Sequence, residues 1–324
     1  MYFTIRHTTR FTYESPVSES VMEARMQPRS EAAQRCIHFG LSTTPASRVM
    51  MYQDHDGNIV HHFNIPGRHA RLTVSAQALV ESQSANTIPE RLGPDSWQAL
   101  DALVAAGEYG DAMGPSTFVR QTPLLEKFSR EIAIERGADD PLTTLKRITH
   151  EVYDRFEYKP RSTRVDSPID DALEARCGVC QDFTHIMTGL VRGLGIPCRY
   201  VSGYLFQQED SADRSSDGAT HAWVEALLPD LGWVGFDPTN NLLAGDRHIR
   251  VAIGRDYADV PPTRGVYKGV TAVKTELAVA VRVGPVQMAI AGEALPFVPW
   301  MSREAVAPMA ESVTRQQQQQ QQQQ

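Results

Sequence analysis

Arg176-Cys177-Gly178-Val179-Cys180-Gln181-Asp182-Phe183-Thr184-His185 is the stretch on which the reading of this chain turns. Beyond it, Phe183, Ile186, Met187, Leu190, Val191 and Leu194 recur at helical spacing and define one apolar stripe. Gly195 suits the position just past a helix C-terminus, and Ile196-Pro197 stops any continuation. The helix therefore starts close to Cys180. A thiol there meets the partial positive charge of the helix N-terminus and unpaired backbone N–H groups, which favour a thiolate. The same N–H groups can face the oxyanion that forms when a thiolate attacks a carbonyl. The plain alternative is a core cysteine, since free Cys packs as a small hydrophobe.

A thiolate needs a partner that holds it and later protonates a leaving group. The next strand-like run is Thr220-His221-Ala222-Trp223-Val224-Glu225-Ala226-Leu227. In a strand, His221, Trp223 and Glu225 share one face and Ala222, Val224 and Ala226 the other. Pro229-Asp230-Leu231-Gly232 reads as a turn, and Trp233-Val234-Gly235-Phe236-Asp237-Pro238 as the returning strand, ended by Pro238. Such a hairpin can bring His221 and Asp237 together, so that the carboxylate orients the imidazole, although spacing alone does not establish the pairing.

Outward from this region the signals are simpler. Residues 1 to about 85 hold short β-branched and aromatic runs (Tyr2-Phe3-Thr4-Ile5, Ile59-Val60-His61-His62-Phe63, Arg71-Leu72-Thr73-Val74), with a hairpin signal at Asp56-Gly57. Polar, Gly/Pro-containing sequence around Trp97 reads as connector with a short helix. Asp140-Pro141 and Ser167-Pro168 mark helix starts, and Leu277 to Val283 reads as a strand returning to an existing sheet. Gln316 to Gln324 is too polar to bury anything and is expected to be disordered.

Bulk composition excludes several classes. The chain has 324 residues, 41% hydrophobic and 22% charged, with a formal net charge of -7. No basic block offers a nucleic acid the clustered Lys and Arg it needs. The most apolar late segment, Gly284 to Met301, is interrupted by Glu293, Pro296 and Pro299, so no membrane span is expected. No signal-peptide pattern shows in Met1 to His7, and four cysteines are too few for a disulfide scaffold. The expectation is a cytoplasmic protein with reduced thiols.

Gly178-Val179-Cys180-Gln181-Asp182-Phe183, His221-Ala222-Trp223-Val224-Glu225 and Gly232-Trp233-Val234-Gly235-Phe236-Asp237-Pro238-Thr239-Asn240 resemble, in order and spacing, the three blocks of the bacterial transglutaminase-like superfamily. The first part, including His7-Thr8-Thr9, Tyr13 and Asp56-Gly57-Asn58, resembles the β-rich domain that precedes this core in bacterial members. The resemblance implies an α+β fold: a papain-like transglutaminase core, its nucleophile on a helix packed against an antiparallel sheet, after a β-sandwich-like N-terminal domain. The expected boundaries are 1–85 for that domain, 86–124 for the connector, 125–290 for the core with its C-terminal strand extension, and 291–324 for the tail.

The resemblance further implies Cys180 as nucleophile, His221 as base and Asp237 as orienting acid. Tyr158 is the candidate for a second oxyanion contact, with Gln181 and Trp223 as further residues flanking the reacting atoms. The expected activity is hydrolysis of peptide or protein amides through a Cys thioester. Transamidation and a non-catalytic binding module are the alternatives. Neither metal nor organic cofactor is expected, and the oligomeric state is left open.

Other residues read more plainly. Cys177 and Cys180 form a Cys-x-x-Cys, but there is no second such pair to complete a zinc site, leaving a regulatory disulfide as the functional alternative. His185 is expected as a pocket-wall residue, and His61, His62 and His69 in solvated or core roles. Trp233 is expected in the core or pocket wall, and Glu225 facing the site or solvent. Gln207 to Ala219, with Glu209, Asp210, Asp213 and Asp217, reads as a solvated loop or a flap over the substrate, without calcium-loop spacing.

Overall fold

Alternating apolar and polar residues make the first 82 residues into sheet. In the computed structural model, β1 (Tyr2–Ala24), β2 (Gln34–Thr44), β3 (Val49–Gln53) and β4 (Ile59–Ser82) follow in order, and β1 and β4 pair antiparallel along most of their length. Phe3, Ile5, His7, Thr9 and Phe11 are buried on one face of β1, as a two-residue period requires. Gly57, at φ 73°, turns β3 back into β4. The structure describes residues 1–286 except 32, 84–86, 209, 210, 212, 216, 217 and 270–274. The expected tail at 291–324, with its glutamine run, lies outside the described residues, as do Glu209, Asp210 and Asp217.

Helices occupy the middle of the chain: α1 (Ser96–Ala106), α2 (Gly110–Met113), α3 (Pro123–Glu131) and α4 (Pro141–Arg155). The Asp140 carboxylate accepts from the Leu142 and Thr143 N–H groups at 3.0 and 3.2 Å, the capping its sequence position predicts. Next come β5 (Glu157–Tyr158), α5 (Ile169–Ala175), β6 (Cys177–Gly178) and α6 (Cys180–Gly193). The strands β7 (Cys198–Leu205), β8 (His221–Leu228), β9 (Gly232–Asp237), β10 (Leu242–Leu243) and β11 (His248–Gly254) form an antiparallel sheet in the order β10-β9-β8-β7-β11. The apolar stripe of α6 packs on one face of it. Phe183, Ile186, Met187 and Leu190 share a core with Val224, Ala226, Val234 and Phe236.

The last strands, β12 (Thr263–Lys268) and β13 (Thr275–Val286), do not join that sheet. Both pair with β1, β13 along Tyr2–Tyr13 and β12 along Glu19–Ala24, completing a six-stranded N-terminal sheet. Its buried face is continuous with the five-stranded sheet: Phe3, Ile5, Leu72, Val74 and Leu277 share one core with Tyr200, Tyr204, Ala222, Ile249 and Val251. Side-chain amides seal the contact. Gln34 both donates to and accepts from the Arg250 backbone at 2.9 and 2.8 Å, and Asn58 does the same at Ile253, both at 2.8 Å. Backbone groups on the edge of β11 that would otherwise be buried unpaired are satisfied in this way.

Candidate active site

Contacts of Asp182 and Gly178 fix the tip of α6. Val179 is extended and the helix begins at Cys180. The Asp182 carboxylate reaches back to accept the Val179 N–H at 2.8 Å and the Thr163 hydroxyl at 2.6 Å. Gly178 is required here, because a Cβ would fall 2.8 Å from Asp182 Oδ2 and 2.9 Å from Asp182 Cβ. Burial pushes the Asp182 acid up to about 6 despite those hydrogen bonds. Cys180 is half-buried, with its sulfur at the positive end of the helix.

His221 opens β8 and Asp237 closes β9, and their side chains meet. His221 Nε2 lies 2.7 Å from Asp237 Oδ2; since a carboxylate only accepts, Nε2 carries the proton. Both residues are buried, at 4% and 0% exposure. The other ring nitrogen, Nδ1, is buried without a hydrogen bond of ordinary geometry. Burial opposes charge on the ring, but Asp237 outweighs it and the Cys180 thiol adds to the effect, so His221 is held up to about 10.

Asp237 is ringed by donors. Oδ1 accepts the N–H groups of Thr239 and Asn240 at 2.9 and 3.2 Å. Oδ2 accepts the Asn240 amide at 2.8 Å and His248 Nε2 at 3.1 Å beside His221. Burial alone would raise this acid; the charge and hydrogen bonds of His221 and His248 instead hold it far below the carboxylate range. An ionised Asp237 beside a protonated His221, with a thiol acting on that ring, can stabilise a thiolate–imidazolium pair.

Residues 128–238 match the family described as Transglutaminase-like superfamily, and residues 3–81 match the Bacterial transglutaminase-like N-terminal region. The chain belongs to the transglutaminase-like superfamily. An uncharacterized protein of Mycobacterium leprae, ML0607, is 34% identical over 276 residues, which cover 85% of this chain and 96% of that one. A protein-glutamine gamma-glutamyltransferase of Pseudomonas aeruginosa is 34% identical over 133 residues, 39% of this chain and 20% of the transferase. A crystal structure of a candidate cysteine protease from Cytophaga hutchinsonii shares the fold, with TM-score 0.65 and 21% identity over 89% of this chain and 92% of that one. The α+β architecture expected from the three blocks is thus that of the superfamily.

Within this transglutaminase-like site the remaining candidates fall at different distances from the chemistry. Tyr158 pairs with Gly178 across the β5–β6 bridge, two residues before Cys180, and its ring meets Phe183 edge-on at 6.3 Å. The Gln181 amide donates to the Val165 carbonyl at 2.9 Å, tying the 163–165 segment to the helix tip. Trp223 is fully buried, its ring near-parallel to that of His221 at 6.2 Å. His185 packs at 5.4 Å on Phe118, accepts the Tyr257 N–H at 3.3 Å, and is pushed down to about 4 by burial, which leaves it neutral. Trp233 is half-buried under the Arg199 guanidinium, 4.3 Å from its ring.

Glu225 faces neither site nor solvent. It is completely buried, with Arg199 at 2.8 Å and Arg250 against its other oxygen, and Arg250 passes the pairing on to Glu31 at 2.9 Å. Strand alternation gave its side correctly, but the two arginines arrive from β7 and β11. Cys177 is half-buried on β6, and all four cysteines are free thiols. His69 is a core residue bonded to Ser20 at 2.9 Å. The described part of the 207–219 loop is pinned, because Asn240 Oδ1 accepts the Arg214 and Ser215 N–H groups at 2.8 and 3.2 Å.

Among the described residues the grouping with metal-ligand spacing is His221, Asp237 and His248. Its atoms already satisfy one another: both Nε2 atoms carry protons donated to the carboxylate, so neither offers a lone pair to an ion. Sequence reasoning missed His248 and Asn240. Asn240 lies inside the third block, whereas no spacing rule marks His248. No helix among the described residues is long and apolar enough to cross a membrane.

Proposed function

We propose that this protein is a thiol-dependent acyl-transfer enzyme of the cysteine peptidase or amidase type, acting on peptide or protein amides. Cys180 is the nucleophile, His221 the general base and acid, and Asp237 the group that orients the imidazole. The observation that carries this reading is the two-sided engagement of His221, with Asp237 at 2.7 Å from Nε2 and the helix-tip thiol of Cys180 acting on the same ring.

The Cys180 thiolate attacks the amide carbonyl, forming a C–S bond and an oxyanion. The Cys180 N–H holds the oxyanion, and the Tyr158 hydroxyl is the candidate for a second contact. His221 gives its Nδ1 proton to the departing nitrogen as the C–N bond breaks, leaving a thioester. Neutral His221 then takes a proton from water, whose oxygen attacks the thioester and releases the acid and the thiolate. Trp223 and the buried Asp237 network keep water away from the carboxylate, which strengthens each charge interaction.

Transamidation differs only in the acceptor, an amine in place of water, and the partial match to the Pseudomonas transferase supports keeping it as the second reading. Hydrolysis is preferred because a transferase must exclude water while admitting an amine. The four unpaired thiols fit a reducing compartment, the cytoplasm. The test is to incubate the protein with casein and a fluorescent alkylamine, following amine incorporation and peptide or ammonia release together. A Cys180→Ala variant should abolish both. Release without incorporation supports hydrolysis, incorporation supports transamidation, and neither signal with any amide substrate supports a binding module.

A further inference from the structure

His248 opens β11 at 6% exposure, and its Nε2 lies 3.1 Å from the same Asp237 oxygen that accepts from His221. Its Nδ1 accepts the Gly245 N–H at 3.3 Å. A neutral imidazole has one protonated nitrogen and one bare one. The Gly245 contact assigns the bare position to Nδ1, which leaves the proton on Nε2 for donation to Asp237. Burial lowers the basicity of His248, Asp237 works against that, and His221 and Arg247 reinforce the lowering. The two rings sharing the carboxylate are therefore unlike: His221 holds two protons and His248 one.

β11 is at the far edge of the sheet from β10, so His248 does not reach Asp237 by strand pairing. The chain brings it there by passing from β10 through residues 244–247 across the face that carries Trp223. Two glycines make room, Gly235 for the passage at Ala244 and Gly203 for the close approach of β11 and the Trp223 ring to β7. A Cβ at Gly235 would lie 2.5 Å from Ala244 Cβ, and one at Gly203 would lie 2.2 Å from the Ile249 carbonyl. Trp223 fills the space between and meets the His248 ring edge-on at 5.2 Å.

We propose that His248 is a positioning residue of this site: a neutral Nε2–H donor that aims the Asp237 carboxylate and limits how tightly it holds the His221 proton. The inference rests on the acyl-transfer reading above. A carboxylate oxygen shared between two donors is a weaker partner for each, so His221 stays acidic enough to protonate a departing amine. The other charged or titratable groups around the pair are Cys180 on the His221 side, Arg247 beside His248, and Asp213, which is bound to Arg247 at 2.9 Å.

Two variants of nearly equal shape separate donation from packing: His248→Gln keeps an amide donor, and His248→Met keeps the bulk without one. In the full chain, kcat/KM against pH is measured with whichever casein reaction the wild type catalyses. His248→Met is expected to lose on the order of tenfold or more, the scale of one hydrogen bond to a charged group. Its alkaline limb moves upward, because Asp237 grips the His221 proton harder. His248→Gln recovers part of the rate and moves the limb back. Equal behaviour of the two folded variants, or an alkaline limb that stays or moves down in His248→Met, overturns the inference. Histidine 15N shifts of the wild type test it without any variant: a charged ring or an Nδ1–H tautomer at His248 overturns it as well. If Cys180→Ala retains turnover, the acyl-transfer reading itself fails; if that variant is dead and Gln and Met match, only the role of His248 fails.

Discussion

Asn240 ties the carboxylate of Asp237 to the loop that precedes His221. Its Nδ2 donates to Asp237 Oδ2 at 2.8 Å, while its Oδ1 accepts two backbone N–H groups of that loop. One side chain thus sets both the acid and the approach to the site. Asn240→Ala is expected to cost about 1–3 kcal/mol in urea denaturation, the penalty for buried groups left unpaired. Limited proteolysis within residues 207–219 should quicken at the same time. Unchanged cleavage would show that the loop is held by something else.

The four thiols should differ sharply toward iodoacetamide at neutral pH. Burial pushes Cys36 and Cys198 up to about 11, so their thiolate fractions there are minute. Cys180 is expected to be alkylated at least on the order of a hundredfold faster than either, read by peptide mass spectrometry. Equal rates would show that the Cys180 sulfur is not activated.

The pH dependence follows from the signs of two shifts. His221 is raised to about 10, so the stability it contributes is full below its unfolded value of about 6.5 and is lost as pH climbs through its folded value. Asp237 is depressed, so its contribution is present above about 3.9 and is lost only as pH falls toward its folded value. Urea midpoints should therefore drop from neutral toward pH about 10, at no more than about 1.4 kcal/mol per pH unit. His221→Gln should flatten that slope. In the proposed mechanism the imidazolium is the acid that frees the amine, so the alkaline limb of kcat/KM should lie near the same folded value.

Gly178→Ala places a methyl group where Asp182 holds the helix tip. Stability should fall by about 1–3 kcal/mol, as overpacking does. The rate should fall by roughly a hundredfold through misplacement of Cys180. A rate loss no larger than the stability loss explains would argue that the tip tolerates displacement.

Local pattern made much of this site legible. The stripe from Phe183 to Leu190 and the stop at Gly195 point to a helix start close to Cys180, and the Asp230–Gly232 turn makes a hairpin that can bring His221 to Asp237, a meeting that only the structure establishes. Both depend on neighbours close in sequence. The position of His248 depends instead on a passage across the sheet, for which no periodicity exists. The strand around Leu277 was visible as a strand, but its partner Phe11 lies at the other end of the chain, and pairing over that separation leaves no mark in either segment. That the Gln181 amide donates to Val165 is likewise invisible in the sequence, because the carbonyl it meets comes from a loop whose path the sequence does not disclose.

The pairing of residues 2–13 with 275–286 limits how early in synthesis the N-terminal sheet can be completed. Its first strand leaves the ribosome early and must wait for one of its partners until residue 286 has emerged. The shared core behind that sheet also carries Ala222, the neighbour of His221. The complete site is therefore expected only after translation has run almost the whole described length.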